Sequence, residues 1–284
     1  MGQSIQTVCV CGAGTMGSGI AQIAAQKGFH TILYDVNETL MDKARTNLEV
    51  SLQQLLEKNK ITAQEKADTL SRLRFTHDIN NCLADIVIEA IVEKASTKTG
   101  LFNQLAEVNH SEVIFATNTS SLAVTDIARQ VMCPERVAGM HFFNPAPVMK
   151  LVEVVSTPFS NEQTIQTIIE LARQLGKTPV LCKDSPGFIV NHVARPYYLE
   201  ALKLVEQGIG DFETIDTLLE ATGFKMGPFR LMDLIGNDVN YAVSCSVYEQ
   251  LGSPERLRPS LLQKERVDKQ ELGRKTKKGY YGYE

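Results

Sequence analysis

The stretch that decides the fold is Val8-Cys9-Val10-Cys11-Gly12-Ala13-Gly14-Thr15-Met16-Gly17. A short apolar run feeds directly into a G-x-G-x-x-G spacing, and a helix-like segment over residues 18–27 follows. This order predicts a strand, a tight glycine turn and a helix. Gly12 allows the sharp turn, Gly14 lets a pyrophosphate approach the backbone, and Gly17 lets the helix pack close to the strand. The helix N-terminus then turns free N–H groups and the positive end of its dipole toward the phosphates. A second apolar strand, His30-Thr31-Ile32-Leu33-Tyr34, ends in Asp35, 18 residues beyond Gly17. An acid there suits the adenosine ribose 2′-hydroxyl and favours NAD over NADP. An ordinary glycine turn in a buried α/β unit is the plainer alternative, but strand, helix and acid together argue against it.

Beyond Asp35, Asn37 is placed to cap a helix reaching about residue 59, and Thr62-Ala63-Gln64-Glu65 has the pattern of a capping box for the next. The two helices form an antiparallel hairpin leaving the sheet. Ser51 and Lys58, seven residues apart, share one face of it. By itself this spacing describes only a solvated polar face. Residues 85–90 are dense enough in apolar side chains to be a buried parallel strand, followed by Glu93, Lys98 and a helix to about residue 108. A further strand over 112–117 ends in Thr117-Asn118-Thr119-Ser120-Ser121. That is the carboxyl end of a strand, where open α/β sheets hold their ligands. A turn with hydroxyl caps would use the same residues.

His141 lies in a strand over 137–143, the chain turns at Asn144-Pro145-Ala146-Pro147, and Glu153 stands alone in an apolar strand over 151–155. A bare buried carboxylate costs several kcal/mol unless it is paired. A carboxylate behind an imidazole fixes its tautomer and raises its basicity. A structural ion pair, or Glu153 facing solvent on an edge strand, fits these two residues equally well. A helix over 161–175 and a short strand over 178–182 lead to Lys183-Asp184-Ser185-Pro186-Gly187-Phe188, whose Pro and Gly mark a boundary. Two domains follow: residues 1–185, an α/β unit, and residues 186–284, all helical. Helices are expected over 189–207, 211–221 and 237–251, with Met226-Gly227-Pro228 as a turn. The basic, glycine-punctuated stretch 273–281 reads as a solvated tail.

With 284 residues, 43% hydrophobic, and a formal net charge of −4, the chain can fill a large core and has no bias toward nucleic acid or membrane surfaces. No run of 18 apolar residues suggests a membrane span. The N-terminus has no pattern of a signal peptide, so a cytoplasmic location is expected. Met1-Gly2 opens like a myristoylation site, but Gln6 stands where Ser or Thr is needed. The six cysteines lack metal-ligand spacing and read as small buried hydrophobes in a reducing compartment. Cys9 and Cys11 should face the same side of the first strand.

Together these pieces resemble the 3-hydroxyacyl-CoA dehydrogenase family, most of all its short, single-function bacterial 3-hydroxybutyryl-CoA dehydrogenases. The resemblance covers nearly the whole chain. It rests on six ordered blocks: Gly12 to Ala21, Glu89-Ala90-Ile91-Val92-Glu93, Asn118 to Leu122, His141 to Met149, Asp184 to Asn191, and Met226-Gly227-Pro228. It implies a Rossmann-type, mostly parallel sheet with a helical-hairpin arm, followed by an all-helical C-terminal domain. It implies NAD as cofactor, contacted by Gly12, Gly14, Thr15, Met16, Gly17, Asp35, Ala90, Glu93, Lys98, Ser120 and Asn144. It implies His141 as catalytic base, Glu153 as its orienting partner, and Ser120 and Asn191 lining the substrate, with Asn144 supporting the site beside His141. On the arm, Ser51 and Lys58 match the positions that bind coenzyme A, which replaces the bland reading of that face. The implied reaction needs no metal. Independently of the resemblance, the helical segment after the boundary carries apolar positions such as Tyr197, Leu199, Leu202, Leu218 and Leu219 with little neighbouring sheet to bury them, which points to a homodimer through the C-terminal helices.

The chain departs from the family at Lys277 and at Tyr281-Gly282 in the tail, and at Phe224-Lys225, which bears on the acyl pocket. Two rivals remain: a hydroxy-acid or sugar-acid dehydrogenase of the crystallin-like branch, which resembles gulonate dehydrogenases, and a non-catalytic NAD-binding protein. The retained His141 and Glu153 speak against the latter. Ser51 and Lys58 speak for coenzyme A against the former. Enzymes with a catalytic Lys on the helix after the boundary are disfavoured, since that helix offers Asn191 and no Lys before Lys203.

Overall fold

A computed structural model describes residues 4–284, so Met1 and Gly2 lie outside the described residues. The chain divides into two compact units between Asp184 and Ser185, one residue before the expected boundary.

The first unit runs β1 (Thr7–Cys11), α1 (Thr15–Gln26), β2 (His30–Tyr34), α2 (Glu38–Glu57), α3 (Ala63–Ser71), β3 (Leu73–Thr76), β4 (Ile86–Glu89), α4 (Ala95–Val108), β5 (Ile114–Thr117), α5 (Val124–Ala128), β6 (Val137–Phe142), β7 (Leu151–Ser156), α6 (Glu162–Gln174) and β8 (Thr178–Lys183). The strands form one sheet in the order β3-β2-β1-β4-β5-β6-β7-β8. All pairings are parallel except β6 with β7. The order reverses between β1 and β4, which opens a crevice at their carboxyl ends. Alternation along β1 divides the core: Val8 and Val10 face one layer, Cys9 and Cys11 the other. The two thiols lie 3.9 Å apart, on one side as expected. All six cysteines are free.

The arm is built as its caps predict. The Asn37 side chain accepts from Leu40 N, and Thr62 and Glu65 form a complete capping box. Met41, Ala44, Leu48 and Leu52 make the buried stripe of α2. Strand β3 was not expected. Its Leu73-Arg74-Phe75-Thr76 is short and half exposed, and only its ladder with β2 defines it. Among the described residues, no helix is long and apolar enough to cross a membrane.

The second unit is helical: α7 (Val190–Glu206), α8 (Phe212–Ala221), α9 (Pro228–Ile235), α10 (Asn237–Gln250) and α11 (Leu261–Asp268). Two of these escaped the sequence reading. Met226-Gly227-Pro228 is no mere turn: Gly227 is the N-cap of α9 and Pro228 its first residue. Helix α11 buries only Gln263, so it has no apolar period to detect. The tail departs from expectation in part: residues 274–278 are exposed, but its aromatic end is packed into the unit. Tyr280 is buried against Phe212 and Phe229, with ring centroids 5.0 Å apart in both pairs. The backbone N–H groups of Tyr280 and Tyr281 donate to the buried Asp233 carboxylate, both at 3.0 Å. The buried aromatic ring and the buried acid hold the tail despite its basic residues. Leu199 and Leu202 are buried inside this unit's own core and have no need of a partner chain. Leu218 is exposed.

Candidate active site

The glycine turn is set by contact as much as by flexibility. Gly12 has φ +107°, and a Cβ there would come within 2.4 Å of Ala90 O. A Cβ on Gly17 would meet Gly12 O at 1.8 Å, so helix α1 can pack on the turn only without one. Gly14, the N-cap of α1, has open space where a side chain would point. These are the features a pyrophosphate needs: close backbone, open approach and a helix N-terminus. Asp35, just past β2, accepts from Ala13 N at 2.8 Å and from Asn37 N at 2.9 Å. Its carboxylate therefore braces the glycine turn as well as standing at the ribose position.

A cavity of about 380 Å³ opens here, lined by Gly14, Thr15 and Ser18 of the turn and α1, by Ser51 of α2, and by residues 144–147. Ser51 and Asn144 thus share one cavity wall with the nucleotide turn. Lys58 does not line it: it is the C-cap of α2, beyond the last helical turn, and exposed. Met16 packs against the hydrophobic core.

His141 and Glu153 come together through strand register. Strand β7 returns antiparallel to β6, and the two residues stand directly opposite one another. His141 Nδ1 and Glu153 Oε2 are 2.8 Å apart, with the side chains 6% and 1% exposed. Strand β8 covers the far side of β7, so Glu153 faces neither solvent nor a sheet edge. The Phe143 ring packs 4.5 Å from the imidazole. Asn118 Oδ1 accepts from Phe142 N at 2.8 Å and ties the β5 loop to the end of β6. A carboxylate on Nδ1 leaves Nε2 as the nitrogen directed away from it.

The loops after β4 and β5 are joined by a buried charge cluster. Lys98 Nζ lies 2.6 Å from Glu89 Oε1 and 3.0 Å from Glu93 Oε2. Glu93 Oε1 accepts from Thr119 Oγ1 at 2.5 Å, Ser120 N at 3.1 Å and Ser121 Oγ at 3.0 Å. Burial pushes the Glu89 carboxyl up, and Lys98, Thr117 and Ile91 N recover only part of the shift. Burial also acts on Glu93, but there Lys98 and the hydroxyls outweigh it and the carboxyl is held below its ordinary value. Lys98, 1% exposed, holds both Glu89 and Glu93, and Glu93 in turn ties the loop carrying Ala90 to the loop carrying Ser120. Sequence reasoning gave Glu89 no role of its own, and Thr119 none beyond its place in the polar cluster. The signal was an acid ending an apolar strand beside a lysine nine residues on.

Two family models cover the chain: the NAD-binding domain of 3-hydroxyacyl-CoA dehydrogenase over residues 7–185 and its C-terminal domain over residues 187–283. The chain belongs to the 3-hydroxyacyl-CoA dehydrogenase family. These are NAD-dependent oxidoreductases, and the glycine turn lies within the family's NAD-binding domain. The chain is 46% identical over 282 residues to the 3-hydroxyadipyl-CoA dehydrogenase of Escherichia coli K12, matching 99% of this chain but only 59% of that longer protein. It is 40% identical over 288 residues to the mitochondrial hydroxyacyl-coenzyme A dehydrogenase of Rattus norvegicus, covering 98% and 91% of the two chains. The crystal structure of (S)-3-hydroxybutyryl-CoA dehydrogenase from Ralstonia eutropha matches with a TM-score of 0.94 at 37% identity, covering 99% and 100%.

Within the dehydrogenase, the first unit gathers most of the candidate residues at the carboxyl ends of β1, β4, β5 and β6. Asn191 belongs to the second unit, in the first turn of α7. Phe224, one of the departures from the family pattern, stacks on Tyr197 with ring centroids 5.0 Å apart.

Proposed function

We propose that this chain interconverts (S)-3-hydroxyacyl-CoA and 3-ketoacyl-CoA. The observation that carries the reading is the buried His141–Glu153 pair, 2.8 Å apart on facing strands of an NAD-binding domain. NAD, when bound, supplies the hydride acceptor. His141 takes the proton of the C3 hydroxyl at Nε2 in oxidation and returns it in reduction. Glu153 fixes the tautomer and steadies the imidazolium once it forms. Ser120 and Asn191 donate to the substrate oxygens, and Asn144 supports the site beside His141. Ser51 and Lys58 take coenzyme A along the arm. The relatives are named for 3-hydroxybutyryl-CoA and 3-hydroxyadipyl-CoA, and the sequence motifs favour the short 3-hydroxybutyryl group. A cytoplasmic homodimer through the helical unit completes the reading, with the exposed Leu218, Leu234, Ile235 and Leu261 as its apolar contacts.

The test is a steady-state assay of the purified chain with NAD and (S)-3-hydroxybutyryl-CoA, and with free 3-hydroxybutyrate in parallel. Reduction of NAD with the thioester alone supports the proposal. Turnover of the free acid alone, or of neither, overturns it.

A further inference from the structure

One buried cation of the first unit is bonded to the loop that follows the strand of His141. Lys177 is 9% exposed, and its ammonium donates to Ala146 O at 2.6 Å and to Met149 O at 2.8 Å. Both acceptors lie in the loop between β6 and β7, and among the described residues no backbone N–H donates to either. Both are also neutral. Burial and the neighbouring cation Lys27 hold the Lys177 ammonium below the ordinary lysine pKa. A buried charge with no anion beside it is costly, and the charge-assisted hydrogen bonds to the two carbonyls offset that cost.

The chain fixes Lys177 from both sides. Helix α6 is capped by Leu175, Gly176 takes φ +74°, and Lys177 N donates back to Ala172 O at 2.9 Å. This is the closure of a helix C-terminus through a left-handed glycine. The next residue, Thr178, opens β8, and its N–H donates to Lys150 O at 2.8 Å. The ammonium therefore reaches the loop from a rigid base. Within the loop, Pro145 O accepts from Val148 N and Met149 N, both at 3.0 Å. A Cβ on Gly19 of α1 would lie 3.0 Å from Pro147 Cδ and 3.2 Å from Ala146 Cβ, so the loop sits on α1 about as closely as glycine permits. The loop thus rests on α1 and is held by Lys177 at two carbonyls.

Residues 144–147 of this loop line the cavity shared by Ser51 and the glycine turn. The same loop begins directly after the strand that carries His141. A thioester held at Ser51 with its C3 carbon at His141 runs past this wall, and the inference rests on that reading. We propose that Lys177 is a positioning residue for thioester binding, whose ammonium holds the 144–149 loop in the place that the acyl-CoA requires. Lys177 acts through Ala146, which lines the cavity and whose carbonyl it binds. A wall that shifts by a fraction of its contact distance loses affinity even where the reacting groups stay in place. Those groups do stay: His141 and Glu153 are set by the ladder of β6 with β7, and the glycine turn is braced by Asp35.

Lys177→Met keeps the length of the side chain and removes its charge and donors. With the full chain, saturating NAD and (S)-3-hydroxybutyryl-CoA, KM is expected to rise about tenfold or more, while kcat and NADH affinity, the latter read by fluorescence, stay within about threefold. Lys177→Gln keeps an NH₂ donor but loses charge and reach, and is expected to raise KM about threefold. An unchanged KM in either variant overturns the proposal, and Lys177→Gln decides alone if Lys177→Met does not fold. A fall in kcat or in NADH affinity as large as the rise in KM also overturns it, because that marks a general loosening of the unit. A wild type that turns over no thioester overturns the substrate reading proposed above, and this inference with it.

Discussion

Glu153 in the first unit and Asp233 in the second are both about 1% exposed, and both would be costly to bury alone. Their partners differ in kind. Glu153 faces an imidazole, the side chain that general acid–base chemistry uses most often. Asp233 accepts four hydrogen bonds: from Asn237 Nδ2 at 2.8 Å, from Tyr280 N and Tyr281 N at 3.0 Å, and from Tyr283 OH at 2.9 Å. None of these donors changes charge in the working range, and burial and Asp233 itself push the Tyr283 hydroxyl up to about 12. One carboxylate holds a base in place and the other holds the segment 280–283 against the helices. Burial of an acid thus says that it is paired, and only the chemistry of the partner says what the pairing is for.

The largest effect expected on this comparison is at His141. His141→Gln removes the base and should lower turnover by about 10²–10⁴-fold, while thermal stability and NADH affinity stay near wild type. Glu153→Gln keeps the shape, withdraws the charge, and should lower turnover more than it weakens NAD binding. In the double variant the second loss should largely vanish, because a group that serves only the base has nothing left to serve. Fully additive losses in folded proteins would make Glu153 a structural charge like Asp233 and erase the distinction.

The converse holds for Asp233. Asp233→Asn leaves a single oxygen for the tail and points an NH₂ group at donors, a cost of about 1–3 kcal/mol. Thermal unfolding should come earlier and the tail should become sensitive to protease, with turnover per folded molecule retained. A fall in turnover that exceeds the loss of folded protein would show that Asp233 is coupled to the chemistry.

The same contrast explains what could be read from the sequence. The glycine turn, Asp35, the capped arm and the strand carrying His141 are local patterns, and each formed where its residues stand. The His141–Glu153 pair was legible only as a possibility, since it depends on the register of β6 against β7. Long-range packing hid the rest. Lys98 read as a cofactor contact, but its ammonium is bound between Glu89 and Glu93. The tail read as solvated because Lys and Gly dominate it, and nothing local announces that Asp233, forty-seven residues before Tyr280, will hold it.

Asp35 stands between the two kinds of carboxylate, since it braces Ala13 N and is assigned to the ribose. Asp35→Asn keeps one acceptor oxygen for Ala13 N, gives up the exposed bond from Asn37 N, and removes the charge that repels a 2′-phosphate. The preference for NADH over NADPH, measured as a ratio of dissociation constants, should narrow by about tenfold or less, with little change in stability. An unaltered ratio would leave Asp35 with the brace alone.

The smallest effect is expected at Glu93, where position and charge are hardest to separate. Its carboxyl is held below the ordinary value because Lys98 and the hydroxyls of Thr119 and Ser121 outweigh the effect of burial. A group whose pKa is lower in the folded state than in the unfolded chain adds stability above the unfolded value, about 4.3 for Glu. That stability is lost as pH falls through the folded value. Glu93→Gln should therefore flatten the acid limb of stability below about pH 4.3, with the change smallest near neutrality only in its slope, since the lost contribution is constant there. The facing groups are Glu89, Lys98, Thr119 and Ser121. Among them Glu89 runs in the opposite direction, because burial raises it. Stability measured by urea titration from pH 3 to 7 separates the two. A Glu93→Gln protein whose acid limb matches wild type would mean that Glu89 alone carries the charge of the Lys98 cluster. Glu93 would then hold Ser120 only as a neutral acceptor, on the Asp233 side of the comparison.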